Sequence, residues 1–141
     1  MPEPRTILAF DFGLRRIGVA VGQDVTGSAS PLGVIANRDS GIDFEHIDSL
    51  VNEWRPTELV VGMPAHTDGS ASEIQVPVRA FMKRLARYGL PVNSVDERYT
   101  SVEAENVLRD ARAAGNRGRI SKEEIDSAAA VFIAERYLLS E

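Results

Sequence analysis

One carboxylate interrupts an otherwise apolar stretch near the start of the chain. Residues 7–12 carry five apolar side chains and Asp11, a composition that is typical of a buried strand. An ionised carboxylate at the centre of such a strand is costly unless a cation or hydrogen-bond donors compensate it. Gly13 allows a tight turn, or the close approach of a ligand, directly after the acid. The pattern indicates a site for a metal ion or a phosphate; the alternative is that Asp11 only caps the turn through nearby backbone amides.

Two further acids, Asp96 and Glu97, end a predicted strand at residues 91–97. Open α/β sheets place their ligands at the carboxyl ends of strands, so either acid could contribute to a site there. Consecutive residues of a strand point to opposite faces, and the periodicity does not choose between the two acids. A solvated strand end is the alternative for both.

Asp126 lies in the last predicted helix. At 3.6 residues per turn it shares a face with Ala129, Ala130 and Ile133, which indicates that it points inward. It also lies beyond the first turn after Ser121, where an acid gains little from the helix dipole. These two features favour a functional role over helix capping.

Hydrophobic spacing and turn residues predict the elements that position these acids. Residues 7–12, 17–22 and 31–35 form three strands with short links, which is an antiparallel meander. A helix behind Asp43 precedes a strand at residues 58–62, and a second helix ending at Gly89 precedes the strand at residues 91–97. Capping boxes at residues 100–103 and 121–124 begin two more helices. The order βββαβαβ, followed by the last helices, predicts an α/β, ribonuclease H-like fold with a central five-stranded mixed sheet, three antiparallel strands then two parallel, flanked by helices.

Composition limits the protein class. A chain of 141 residues with 43% hydrophobic content fits one domain, residues 1–141, with a sizeable core. There is no cysteine, which excludes disulfides, zinc–thiolate sites and thiol catalysis. No signal peptide and no membrane-spanning apolar run is evident, so we expect a cytoplasmic protein with no membrane partner. The net charge of −5 argues against an overall basic surface but permits a local basic patch.

Four segments of the chain resemble the YqgF/RuvX family of the ribonuclease H-like superfamily. They are residues 10–13 with 17–22, residues 60–64 with 68–69, residues 96–100 and residues 125–129. The segments span nearly the whole chain in the right order, which is far more specific than any one motif. The family is linked to pre-16S ribosomal RNA processing and is also described as Holliday junction resolvases.

The resemblance implies that Asp11, Glu97 and Asp126 are the catalytic acids, and it selects Glu97 over Asp96. Many nucleases of the superfamily use four acids, and no fourth acid is apparent in this sequence. Residues 65–67 depart from the family pattern, which leaves the role of His66 open; a surface-loop histidine is the simpler interpretation.

Three carboxylates gathered in one place raise one another's pKa values, so the arrangement makes sense chiefly around a divalent cation. Hard oxygen ligands suit Mg²⁺ or Mn²⁺. Two such ions would activate a water on one side of a scissile phosphate and stabilise the leaving oxygen on the other. The implied activity is metal-dependent phosphodiester hydrolysis, in 5′-end processing of pre-16S rRNA or, as the alternative, on branched DNA in recombination and repair.

A nucleic-acid substrate also requires a basic surface. Residues 111–122 contain four cations and no acid, and the segment ends four residues before Asp126. Arginine suits phosphate through its bidentate fork. The protein is expected to be a monomer or a weak homodimer. Seven cations are predicted to bind nucleic acid: Arg15, Arg16, Arg98, Arg112, Arg117, Arg119 and Lys122.

Two other protein classes share parts of this pattern. Actin-like and sugar-kinase-like ATPases begin with a similar strand, but they bind nucleotide between two such domains and 141 residues supply only one. A non-catalytic nucleic-acid-binding assembly factor could retain a nuclease fold, because fold alone does not establish turnover. The complete set of three acids argues against that second class.

Overall fold

A mixed sheet flanked by helices forms the part of the chain that the computed structural model describes, residues 5–63, 75–96 and 122–139, with side chains of the last range from residue 127 onward. The strands are β1 (Thr6–Asp11), β2 (Arg16–Gln23), β3 (Ser28–Arg38), β4 (Gly41–Ile42), β5 (Glu58–Met63) and β6 (Val92–Asp96). The helices are α1 (Phe44–Trp54), α2 (Gln75–Leu85) and α3 (Lys122–Leu139), and a 3₁₀ turn (Ala86–Tyr88) extends α2. Among these helices, none has both the length and the apolarity to cross a bilayer.

The strand order in space is β4-β3-β2-β1-β5-β6. Strands β1 to β4 pair antiparallel in succession, whereas β5 is parallel to β1 and β6 is parallel to β5. The predicted arrangement of three antiparallel strands followed by two parallel ones is confirmed. The predicted strand count was one too low, because the two residues of β4 are too few to show a hydrophobic period.

Strand β1 is covered on both faces, which explains its almost continuous apolar sequence. On one face, Leu8 and Phe10 belong to a large core that includes residues of α1 and α2. On the other face, Ile7 and Ala9 pack in a second core with Ile133 of α3.

Small side chains bring α3 close to the sheet. A Cβ atom built at Gly22 of β2 would lie 3.1 Å from Cγ1 of Ile7 and 3.3 Å from Cβ of Ala134. Ala129 and Ala130 are fully buried, in agreement with the prediction that this helix face contacts the sheet. Two layers of helix therefore enclose the sheet, with α1 and α2 on one side and α3 on the other.

Local signals set the ends of the first two helices. Oδ1 of Asp43 accepts a hydrogen bond of 3.2 Å from the backbone N–H of His46, which confirms Asp43 as the cap of α1. Pro77 is the third residue of α2, a position where its missing N–H costs little. Gly89 adopts φ +69° after the 3₁₀ turn, at the predicted stop. The capping box predicted at residues 100–103 lies outside the described residues, and so do Ser121 and the side chain of Glu124 in the box predicted at residues 121–124.

A buried carboxylate joins three elements at the amino-terminal edge of the parallel strands. Glu58 accepts hydrogen bonds from Nε of Arg5 (3.0 Å), from Nδ2 of Asn93 (3.1 Å) and from the hydroxyl of Tyr137 on α3. Burial by itself raises the pKa of Glu58, but the Tyr137 hydroxyl, the Arg5 guanidinium and the Asn93 amide together lower it below the usual value. The ionised carboxylate therefore stabilises the fold.

Replacing Glu58 with Gln should lower the free energy of unfolding at neutral pH by about 2 kcal/mol, the scale of hydrogen bonds to a charged group. Because the folded pKa is depressed, this stabilisation is complete above the unfolded pKa near 4.5 and is lost as the pH falls through the lower folded pKa. Urea titrations between pH 3 and pH 7 should show wild type and variant converging below about pH 4.5. Glu53→Gln, at an exposed position of α1, is the control for the loss of one carboxylate. A constant offset between wild type and Glu58→Gln across this pH range would contradict the prediction.

Candidate active site

Asp11 is the last residue of β1 and is half-buried. Side chains alternate along a strand, and Ile7 and Ala9 pack against α3, so Asp11 lies on the α3 face of the sheet. The expectation of a carboxylate in the middle of a fully buried strand was wrong. The strand ends at Asp11 because the chain turns there, and partial exposure reduces the cost of the charge.

The loop that follows Asp11 is held by contacts to β3. Nδ2 of Asn37 donates a 2.8 Å hydrogen bond to the carbonyl of Gly13, and the backbone N–H of Asn37 donates a 3.0 Å bond to the carbonyl of Arg15. A Cβ atom at Gly13 would lie 2.4 Å from the carbonyl oxygen of Arg16, so no side chain fits there. Sequence reasoning missed Asn37, because only the register of β2 against β3 brings it to this loop.

Two glycines flank Asp11 in the sheet. Asp11 pairs with Gly18 of β2, and Gly62 of β5 lies one residue beyond the pair formed by Phe10 and Val61. Neither neighbour carries a side chain that could cover the carboxylate from an adjacent strand. The arrangement suits a carboxylate that binds a cation or approaches a phosphate.

Strand β6 ends at the same edge, because β1, β5 and β6 run parallel and Met63 pairs with Asp96. Asn93 bonds to Tyr137 and Val95 packs in the α3 core, so these residues face α3. By alternation the exposed Asp96 lies on the opposite face from Asp11, which argues against Asp96 as the second acid. Glu97 itself lies outside the described residues.

The first half of α3 crosses the sheet near the row of paired residues that includes Phe10, the residue before Asp11. The hydroxyl of the buried Ser127 accepts a 3.3 Å hydrogen bond from the backbone N–H of Gly33 on β3. Gly33 pairs with Val19, and Val19 pairs with Phe10, the residue before Asp11. Asp126 is the fifth residue of α3, adjacent to Ser127; its side chain is outside what the structure describes. Asp11 and the backbone of Asp126 therefore lie on the same side of the sheet.

Two of the seven cations predicted to bind nucleic acid have described side chains. Arg15 is exposed in the loop after Asp11, and Arg16 is half-buried at the start of β2. Lys122 is described only as the first backbone position of α3. Outside the described residues lie Arg98, Arg112, Arg117, Arg119 and His66.

The Asp11 carboxylate fits a hard divalent cation. Its carboxylate oxygens are ligands that Mg²⁺ and Mn²⁺ favour. Across residues 5–63, 75–96 and 127–139, no group of three or more His, Cys, Asp or Glu side chains lies close enough to hold a metal ion. A complete metal site would need the acids predicted at Glu97 and Asp126.

Two solved structures of RuvC from Thermus thermophilus have a similar fold. The structure in complex with a Holliday junction substrate has a TM-score of 0.57 and 14% sequence identity, with 96% of this chain and 94% of that chain covered. A second RuvC structure has a TM-score of 0.53 at the same identity. At this identity the similarity shows the fold alone, and it confirms the predicted ribonuclease H-like class.

Sequence comparison identifies the family. Residues 5–140 match the model of the RuvX family, described as Holliday junction resolvase. A protein of Burkholderia lata named "Putative pre-16S rRNA nuclease" is 47% identical over 134 residues, which is 94% of this chain and 88% of that protein. A Hahella chejuensis protein of the same name is 45% identical over 134 residues, covering 94% of this chain and 83% of that protein. The chain therefore belongs to the RuvX family, as its four sequence segments predict.

Proposed function

We propose that this chain is a nuclease that depends on Mg²⁺ or Mn²⁺ and hydrolyses phosphodiester bonds in 5′-end processing of pre-16S rRNA. The observation that carries the proposal is the position of Asp11, a half-buried carboxylate between two glycines at the carboxyl edge of three parallel strands. The names of relatives at 45–47% identity support the substrate class.

The metal ligands in this proposal are Asp11, Glu97 and Asp126. When bound, divalent ions supply activation of the attacking water and stabilisation of the leaving oxygen. Strand β1 and the bond from Asn37 to Gly13 limit movement of the Asp11 backbone, which is what precise ligand placement requires. Exposed Arg15, next in the same loop, is placed to bind a backbone phosphate beside the cleaved bond.

The choice of Glu97 over Asp96 is supported by the register of β6. Asn93 and Val95 face α3, as Asp11 does, and a strand continued by one residue past Asp96 would return to that face. We assign the remaining predicted cations, Arg16, Arg98, Arg112, Arg117, Arg119 and Lys122, to binding of phosphates and not to chemistry.

Cleavage of four-way DNA junctions is the second candidate function, since the description of the family names a Holliday junction resolvase. A junction has two symmetric strands to cut, so a resolvase requires two active sites related by a two-fold axis. The junction-bound structure is only 14% identical to this chain, whereas the relatives named for rRNA are 45–47% identical. The rRNA function is the better supported of the two.

One experiment separates these functions. The purified protein, with Mg²⁺ or Mn²⁺, is offered a 16S rRNA precursor carrying its 5′ leader and, separately, a four-way DNA junction. We expect cleavage within the leader that requires the metal ion and is abolished by EDTA, and an intact junction. RNA of equal length that begins at the mature 5′ end is the matched control. Paired symmetric cuts in the junction without RNA cleavage would support the resolvase, and no cleavage of either substrate would support a non-catalytic assembly factor.

A further inference from the structure

A second basic surface lies on the face of the sheet opposite α3. Helix α2 and its 3₁₀ extension carry four exposed cations, Arg79, Lys83, Arg84 and Arg87, which we call the α2 basic surface. Residues 75–95 contain no acid, in a chain whose net charge is −5. This concentration of positive charge is not part of the candidate active site.

An aromatic ring orients two of these cations. The guanidinium carbons of Arg84 and Arg87 lie 4.5 Å and 4.0 Å from the ring centroid of Phe44, within the range of cation–π interactions. Phe44 is buried in the core at the start of α1, so the ring is a fixed support. Two like charges are thus held against one ring, where they repel each other.

Three acids lie at the cap and in the first half of α1: Asp43 and Asp48 already accept hydrogen bonds, and Glu45 is exposed in the first turn. Asp43 caps α1, and Asp48 accepts a hydrogen bond from the hydroxyl of Tyr88. Among the described residues, Arg84 and Arg87 form no ion pair closer than 4.0 Å. A phosphate group between or across the two guanidiniums would relieve their repulsion and match their planar hydrogen-bond donors.

Ring contacts connect this surface to the candidate active site. The ring centroid of Phe44 lies 6.4 Å from that of Phe81, and Phe81 lies 5.4 Å from Phe12. Phe12 directly follows Asp11 in the chain. Phe44, Phe81 and Phe12 therefore form a chain of ring contacts between the two arginines and the residue after Asp11.

The helix dipole explains part of this charge but not all of it. Lys83 and Arg84 lie in the last turn of α2, where cations are favoured in any helix. Arg87 lies beyond that turn and nevertheless packs on Phe44. A purely structural role for these arginines would leave nucleic-acid binding unaffected, which makes the two explanations separable by experiment.

We infer that the α2 basic surface binds backbone phosphates of the substrate nucleic acid outside the cleavage site, with Arg84 and Arg87 as its central pair. The inference rests on the proposed function for the identity of the polyanion as RNA. Phosphate contacts position a substrate without reading its bases, so this surface should contribute affinity with little sequence preference.

The test measures binding of single-stranded precursor RNA in EDTA, where no cleavage occurs, over a series of salt concentrations. Arg84→Gln combined with Arg87→Gln should flatten the log–log salt slope by roughly 1.4, if each arginine neutralises one phosphate of a single strand. Affinity at moderate salt should fall about tenfold, similarly for unrelated RNA sequences. With Mg²⁺ restored, KM should rise by a similar factor and kcat should change little.

Two control variants sharpen the result. Arg55→Asn removes one exposed charge at the opposite end of α1, where φ is +45° and Asn is tolerated, and it should leave the salt slope unchanged. Arg84→Lys with Arg87→Lys keeps both charges but removes the planar fork, so it should keep most of the slope and lose part of the affinity. Thermal unfolding verifies that each variant is folded.

If the double Gln variant is folded and its salt slope equals that of wild type, the inference is overturned. That failure is distinct from failure of the proposed function, which depends on cleavage and on Asp11. If the double Gln variant binds RNA like wild type and wild type still cleaves the leader, only the role of the α2 basic surface in RNA binding is disproved.

Discussion

Asp11→Asn should reduce metal-dependent cleavage of precursor RNA by roughly a hundredfold or more, because it removes the negative charge of a proposed metal ligand without changing the shape of the side chain. The backbone at this position is held by pairing with Gly18, and that pairing does not depend on the charge. Initial rates at saturating Mg²⁺ and at saturating Mn²⁺ measure the effect. Undiminished cleavage by a rigorously purified variant would remove Asp11 from the set of metal ligands.

Thermal unfolding of the same variant separates loss of the ligand from loss of the fold. In metal-free buffer Asp11→Asn should be about as stable as wild type, since the side chain keeps its shape and the backbone pairing with Gly18 does not depend on the charge. Added Mg²⁺ should raise the melting temperature of wild type through linked binding and have little effect on the variant. Asp39→Asn, at an exposed turn between β3 and β4, is the matched control and should retain both cleavage and the response to Mg²⁺.

Gly13→Ala should lower the free energy of unfolding by about 1–3 kcal/mol, as overpacking does, and should also impair cleavage. The added Cβ would lie 2.4 Å from the backbone oxygen of Arg16, so the loop itself must move. Asn37 bonds to the carbonyls of Gly13 and Arg15, which means that the loop cannot move without breaking those bonds or displacing Asp11. Urea denaturation and cleavage assays measure the two effects.

Leu14→Ala is the matched control for Gly13→Ala. Its side chain is 68% exposed in the same loop, so its removal should change the free energy of unfolding by no more than about 0.5 kcal/mol. A Gly13→Ala protein with the stability of wild type would show that the loop relaxes freely, against the rigidity that the contacts of Asn37 indicate.

Local patterns in the sequence were enough to predict the framework of the fold. Apolar runs and turn residues predicted β1, β2 and β5, and Asp43 predicted the start of α1, because strand alternation and helix capping depend on residues close together in the chain. The order of elements then predicted the direction of the strands. Four motifs spread along the chain predicted the family that the comparisons confirm.

The burial of Asp11 depends on where the chain turns after β1, and the apolar pattern alone does not determine that position. Asp11 was expected at the centre of a buried strand, whereas the strand ends at this residue and leaves it half-buried. Strand β4 has only two residues, too few to show the alternation of apolar and polar side chains that predicts a strand. In both places the deciding factor was the pairing of strands and not the composition of a segment.

Contacts between residues distant in sequence were decided only by the tertiary structure. The register of β6 and the packing of α3 separated Asp96 from the face of Asp11, which the alternation of the strand alone could not do. Asn37 reaches Gly13 across 24 residues, and Arg84 and Arg87 meet on Phe44 through the packing of two helices. Such contacts follow from how strands pair and layers pack, and no periodicity within one segment encodes them.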